Sequence, residues 1–103
     1  MECQLDLLSD EILDKAAECL RVIAHPVRLR IVDILMQGDY SVGEIAEMCD
    51  VPPSQTSEHL RLLKGQGLLD SERRARSVYY NIADPRLPAM LACIRRSCGA
   101  REL

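Results

Sequence analysis

The sequence has no Trp and no Phe, and its only aromatic residues are three Tyr. Large aromatic side chains normally supply much of the buried area of a small domain. Here the core must come from Leu, Ile, Val, Ala and Met, a set that suits packed helices. No apolar run approaches the roughly 18 residues of a membrane-spanning helix. The N-terminal stretch is acidic where a signal peptide needs a basic start and an apolar middle, so the expected location is cytoplasmic, with no membrane partner. The five cysteines, Cys3, Cys19, Cys49, Cys93 and Cys98, are odd in number and form no CxxC pair. A structural disulfide framework is therefore not expected. No Ser-His-Asp arrangement, paired-carboxylate cleft or Gly-rich phosphate loop is present either, so the chain does not read as an enzyme.

At 103 residues, with 48% hydrophobic and 28% charged residues, the chain fits a single globular domain over 1–103. Its formal net charge of -3 argues against a generally basic, polyanion-coating protein. The charge is unevenly distributed, however. Residues 1–24 carry two basic and six acidic side chains, and 25–51 carry two and five. Residues 52–80 carry five basic and three acidic, and 85–103 carry four and one. A positive face can therefore sit on an acidic protein.

The periodicity predicts five helices and one hairpin. Ser9 caps a helix over about 9–24, with Asp10 and Glu11 at the positive end of its dipole and Ile12, Ala16, Cys19, Leu20 and Ile23 in one stripe. His25-Pro26 breaks it, and a second helix runs from about Pro26 to Gln37 with Val27, Ile31, Ile34 and Leu35 inward and Arg28 and Arg30 outward. Ser41 and Glu44 form a capping box for a third helix, whose buried face is Val42, Ile45, Ala46 and Cys49. A fourth helix over about 53–65 places Thr56, Leu60 and Leu63 on one side and Ser54, Gln55, Ser57, Glu58, His59 and Arg61 on the other; Gly67 stops it. A two-residue period over about 68–82, interrupted by Arg73-Arg74-Ala75-Arg76, reads as a β-hairpin with a charged tip. A last helix over about 85–98 carries Leu87, Met90, Leu91, Ile94 and Cys98 as an apolar band.

Two short helices joined by a tight turn, the second with small polar residues at its start, form a helix-turn-helix. Its second helix enters the DNA major groove. Gln55, Ser54 and Ser57 are candidates for base edges, because Gln can pair bidentately with adenine and Ser both donates and accepts. His59 and Arg61 are candidates for backbone support, and Arg73, Arg74 and Arg76 for phosphate contacts from the hairpin tip. With that hairpin the motif becomes a winged helix-turn-helix, mainly α with a β-hairpin wing, in the order of four helices, two strands and a final helix.

The runs Ala24-His25-Pro26-Val27-Arg28-Leu29-Arg30-Ile31, Ser41-Val42-Gly43-Glu44-Ile45-Ala46, Ser57-Glu58-His59-Leu60-Arg61-Leu62-Leu63, Gly67-Leu68-Leu69 and Val78-Tyr79-Tyr80 resemble the ArsR/SmtB family of bacterial transcriptional repressors. The resemblance spans about 12–98. It implies a homodimer through the first and last helices, a palindromic operator in double-stranded DNA, and release by an inducer. The rival reading is a winged-helix protein-interaction module or anti-repressor without an inducer site.

The resemblance also bears on the inducer. Metal-sensing relatives carry Cys-Val-Cys in the third helix, where this chain has Ser41-Val42-Gly43, and Asp-x-His before the last helix, where it has Asp84-Pro85-Arg86 with no later His. The zinc sites of such sensors are not supported, since zinc requires four N, S or O ligands. Thiol sensing remains, through Cys93 and Cys98 with Cys19 or Cys3, toward oxidants, persulfides or a thiophilic metalloid ion such as arsenite; no other cofactor is expected. Cys93 and Cys98 lie about 140° apart around an ideal helix, which disfavours a direct disulfide between them. Neighbouring Arg95 and Arg96 favour thiolate. Cys49 reads as core, and His25 as a cap of the second helix.

Overall fold

The computed structural model describes residues 5–98. Ser9 caps α1 (Asp10–Ile23) by accepting from the Ile12 backbone N–H at 3.2 Å. His25 is the N-cap of α2 (Pro26–Leu35): its Nδ1 accepts from the Val27 N–H at 3.1 Å, and Pro26 occupies the first turn, where no N–H is needed. The helix ends at Leu35 rather than Gln37, two residues before the expected boundary. Ser41 and Glu44 close the expected capping box on α3 (Val42–Cys49). Asp50 ends α3 in the left-handed region, with φ 57° and ψ 47°.

The fourth helix, α4 (Pro53–Gly65), has the expected bounds. Its end is a Schellman motif: Gly67, at φ 76°, donates to the Lys64 carbonyl at 2.9 Å, and Leu68 donates to the Leu63 carbonyl at 3.1 Å. Thr56 is fully buried, and its hydroxyl donates to the Pro52 carbonyl at 3.1 Å, fastening α4 to the turn before it. The last helix is α5 (Arg86–Ser97).

The hairpin belongs to a larger sheet than the periodicity predicts. Tyr40–Ser41 form a short strand, β1, antiparallel to β3 (Ser77–Ile82), which pairs in turn with β2 (Leu69–Arg74). The order across the sheet is β1-β3-β2. Two residues carry no readable alternation, and they become a strand because β3 offers them an edge. The core comprises Ile23 of α1, Ile31, Val32 and Leu35 of α2, Ile45 of α3, Leu60 and Leu63 of α4, Leu68, Leu69, Leu87 and Leu91, all aliphatic, with Tyr40 and Tyr80 packed at its margin.

By contrast, the α1 stripe is largely bare. Ile12 is 51% and Leu20 55% exposed, Leu13 is exposed beside them, and Ile94 of α5 is exposed as well. Ala16, Cys19, Leu20 and Ile23 of α1 line a recess of about 200 Å³ with Leu87 and Met90 of α5. Among the described residues no helix is long and apolar enough to cross a membrane.

Candidate nucleic-acid interface

The first turns of α4 carry side chains that the fold itself does not use. Ser54, Gln55, Glu58 and Arg61 are exposed and Ser57 is half-buried. None of the five makes a side-chain hydrogen bond among the described residues. The opposite face of α4 holds Thr56, Leu60 and Leu63 in the core, so packing fixes which way the polar face points. The structure thus brings Ser54, Gln55 and Ser57 together on the helix, as the sequence pattern requires.

The hairpin divides its arginines differently. Arg74 donates to Asp39 at 3.0 Å and Glu72 at 3.2 Å, and its guanidinium carbon lies 4.6 Å from the centre of the Tyr79 ring. Its hydrogen bonds to Glu72 and Asp39 push its pKa up. This arginine binds the hairpin to the segment before β1. Arg73 and Arg76 are exposed and have no ion-pair partner among the described residues. The turn between the strands places Ala75 at φ 57°, a left-handed conformation adopted without glycine.

His59 is half-buried rather than free. Its Nδ1 accepts from Nε of Arg28 at 3.1 Å, and its ring lies 4.7 Å from that of His25. Burial lowers its pKa; the charges of His25 and Arg28 act in the same direction, and Glu58 opposes them. The expectation that Arg28 points outward is therefore corrected: it reaches back to His59 and donates through Nη1 to the Val22 carbonyl at 2.8 Å. Arg28 stands three, four and seven residues before the buried Ile31, Val32 and Leu35, so helical geometry puts it on the inward flank of α2, where α4 and the end of α1 meet it.

The residues at the two positions implied for zinc do not fit the metal. Ser41 and Glu44 are committed to capping α3. Asp84 accepts from Arg86 Nε through both oxygens, at 3.0 and 3.1 Å, and its pKa is held down chiefly by that side-chain bond. Arg86 thus neutralises the one carboxylate retained from that pattern. No cluster of three or more potential metal ligands occurs among the described residues.

Cys93 and Cys98 are exposed and Cys19 and Cys49 half-buried; all four are free thiols, and Cys3 lies outside the described residues. Burial raises the Cys49 pKa, with Arg30 opposing, as suits a packing residue. Arg95 pairs with Asp33 across to α2, which leaves Arg96 as the unpaired cation of the two among the described residues.

The family model for bacterial regulatory proteins of the arsR family matches residues 25–71, from the N-cap of α2 into β2. Transcriptional activator HlyU of Vibrio cholerae is 30% identical over 89 residues, covering 85% of this chain and 82% of that protein. The chain belongs to the ArsR family. This ArsR-family chain is also 43% identical over 77 residues to the HTH-type transcriptional repressor SmtB of Mycobacterium tuberculosis, a match that covers 75% of the chain and 57% of SmtB. It therefore spans little more than half of that repressor. Among solved structures, the homodimeric winged helix-turn-helix DNA-binding domain Mb0332 of Mycobacterium bovis superposes with a TM-score of 0.79 at 28% identity, covering 94% of this chain and 93% of that one. The relatives are named as regulators, in agreement with the reading that the chain is not an enzyme.

Proposed function

We propose that two copies of this chain bind a palindromic operator in double-stranded DNA, repress transcription, and are released by an inducer acting on cysteine thiols. One observation carries the DNA-binding part: the exposed polar face of α4, held outward by a fully buried opposite face, keeps Ser54, Gln55 and Ser57 free of bonds within the described fold. Gln55 and Ser54 read base edges, Ser57 assists, Arg61 supports the backbone contact, and Arg73 and Arg76 meet phosphates from the hairpin. The exposed apolar faces of α1 and α5 support a dimer, as does the homodimeric Mb0332. Half-sites are then about one turn, roughly 34 to 36 Å, apart. SmtB is named a repressor and HlyU an activator, so the sign of regulation rests on the higher identity to SmtB.

Exposure of Cys93 and Cys98 supports thiol sensing, with Cys19 and Cys3 as partners for an oxidant, a persulfide or arsenite. The test is a mobility shift with the DNA upstream of the chain's own gene, with dimerisation followed by sedimentation. A saltable, sequence-selective shift by the dimer is expected. A dimer that shifts no DNA would support a protein-interaction module instead. For the inducer, the Cys93→Ser, Cys98→Ser double variant is expected to stay on the operator when oxidant, persulfide or arsenite releases the wild type. Equal release would remove the thiol assignment.

A further inference from the structure

The chain has two histidines, and the fold brings both to one place, with ring centroids 4.7 Å apart and planes inclined by 50°. Each Nδ1 is already an acceptor: His25 takes the Val27 backbone N–H at 3.1 Å and His59 takes Arg28 Nε at 3.1 Å. A ring nitrogen that accepts carries no proton, so in both neutral imidazoles the proton sits on Nε2. Neither Nε2 has a partner among the described residues. No side-chain nitrogen there is both buried and unbonded, so both Nε2–H groups open to solvent. The two rings line a recess of about 430 Å³ with Ser54, Gln55 and Glu58, at the end of α4 that is expected to meet DNA.

We propose that His25 and His59 together clamp one phosphate of the DNA backbone beside α4, an inference that rests on the DNA-binding reading above. With centroids 4.7 Å apart and both rings lining one recess, the oxygens of a single tetrahedral anion held there would accept from both. A metal ion is the wrong occupant. It would need the Nε2 lone pairs, which forces each proton onto Nδ1 and breaks both the cap of α2 and the Arg28 bond. Arg28 lies behind His59 and contributes positive potential, while the Glu58 carboxylate is the group of opposing sign at the rim. Because His25 precedes α2 and His59 lies within α4, one phosphate would hold two elements of the fold at a fixed angle to the duplex. His25 thereby becomes a DNA contact outside the helix-turn-helix pair.

Asparagine provides the test, since its side-chain oxygen stands where Nδ1 does while its short amide cannot reach where Nε2–H reaches. His25→Asn and His59→Asn therefore keep the α2 cap and the Arg28 acceptor. With the upstream DNA as probe, each variant is expected to bind about tenfold more weakly than wild type at an unchanged melting temperature. The salt slope should be unchanged, because neutral donors release no counterion. A scan of single methylphosphonate substitutions should find one position per half-site where wild type and both variants bind equally. Wild-type affinity in both variants, or no such position, overturns the clamp while leaving DNA binding intact; a wild type that shifts no DNA refutes the underlying reading. Saturable binding of inorganic phosphate at the two imidazoles without DNA would assign the recess to a free anion and also overturn the clamp.

Discussion

Arg28 donates from Nε to Nδ1 of His59 at 3.1 Å, and its Nη1 reaches the Val22 carbonyl at 2.8 Å. One planar guanidinium thus ties the end of α1 to the middle of α4. On the function proposed above, α1 belongs to the subunit interface and α4 faces DNA, and this contact would then couple the two surfaces. A lysine has a single ammonium and cannot reproduce the fork. Arg28→Lys is expected to lower stability by about 1 to 2 kcal/mol in urea unfolding, with weaker operator binding. A variant equal to wild type in both would show that the fork holds neither surface.

The surroundings of His59 give stability a pH dependence. Burial, with the charges of His25 and Arg28, lowers the His59 pKa below its usual 6.5, so folding favours the neutral ring. Above 6.5 neither folded nor unfolded chain protonates it, and its contribution is complete. As pH falls through that value the unfolded chain takes up the proton first, and stability declines until the folded ring also titrates. The urea midpoint of wild type should fall across this window, and that of His59→Asn should fall less. Parallel profiles would assign the pH dependence to other groups.

The three hairpin arginines should behave differently on substitution. Arg73→Ala and Arg76→Ala together are expected to reduce the slope of log affinity against log salt by about 2, because each removes about one phosphate contact. Arg74→Ala removes the bonds to Asp39 and Glu72 and should loosen the hairpin, seen as faster amide exchange in β2 and β3, with a smaller change in slope. Gln55→Ala should leave the slope alone and lose about 1 to 3 kcal/mol of preference at one base position. An Arg74→Ala slope change as large as that of the pair would reverse this division.

Ala75 takes φ 57° at the hairpin turn, where a β-carbon is crowded. Ala75→Gly relieves the strain but adds freedom to the unfolded chain, for a net gain of about 0.5 kcal/mol. Ala75→Val, branched at the β-carbon, should lose more than about 1 kcal/mol in the same position. Thermal unfolding of the two variants checks the sign of each. A stabilising valine would mean that the turn does not hold Ala75 in this conformation.

Much of the fold is legible in the sequence because its signals are local. Ser9, the Ser41 and Glu44 pair, Pro26 and Gly67 each act within about one helical turn, and the bounds of α1, α3 and α4 follow from them. The expected polar face of α4 is local in the same sense. Strand β1 was beyond reach, since Tyr40 and Ser41 are extended only through pairing with Tyr80 and Tyr79. Arg28 shares the helical face of Ile31, Val32 and Leu35, but no local signal names His59 and the Val22 carbonyl as the groups it meets there.

From the amino-acid sequence alone follow the helix-turn-helix, the hairpin, the family resemblance and the separation of an acidic N-terminal half from a basic C-terminal part. Tertiary structure decided which hairpin arginines are free among the described residues and that the two histidines meet, with Arg28 brought to Nδ1 of His59. Backbone preferences and caps are settled by neighbours a few residues away. The state of a side-chain donor or acceptor depends on which distant group packing delivers within about 3 Å of it, and only the folded chain makes that choice.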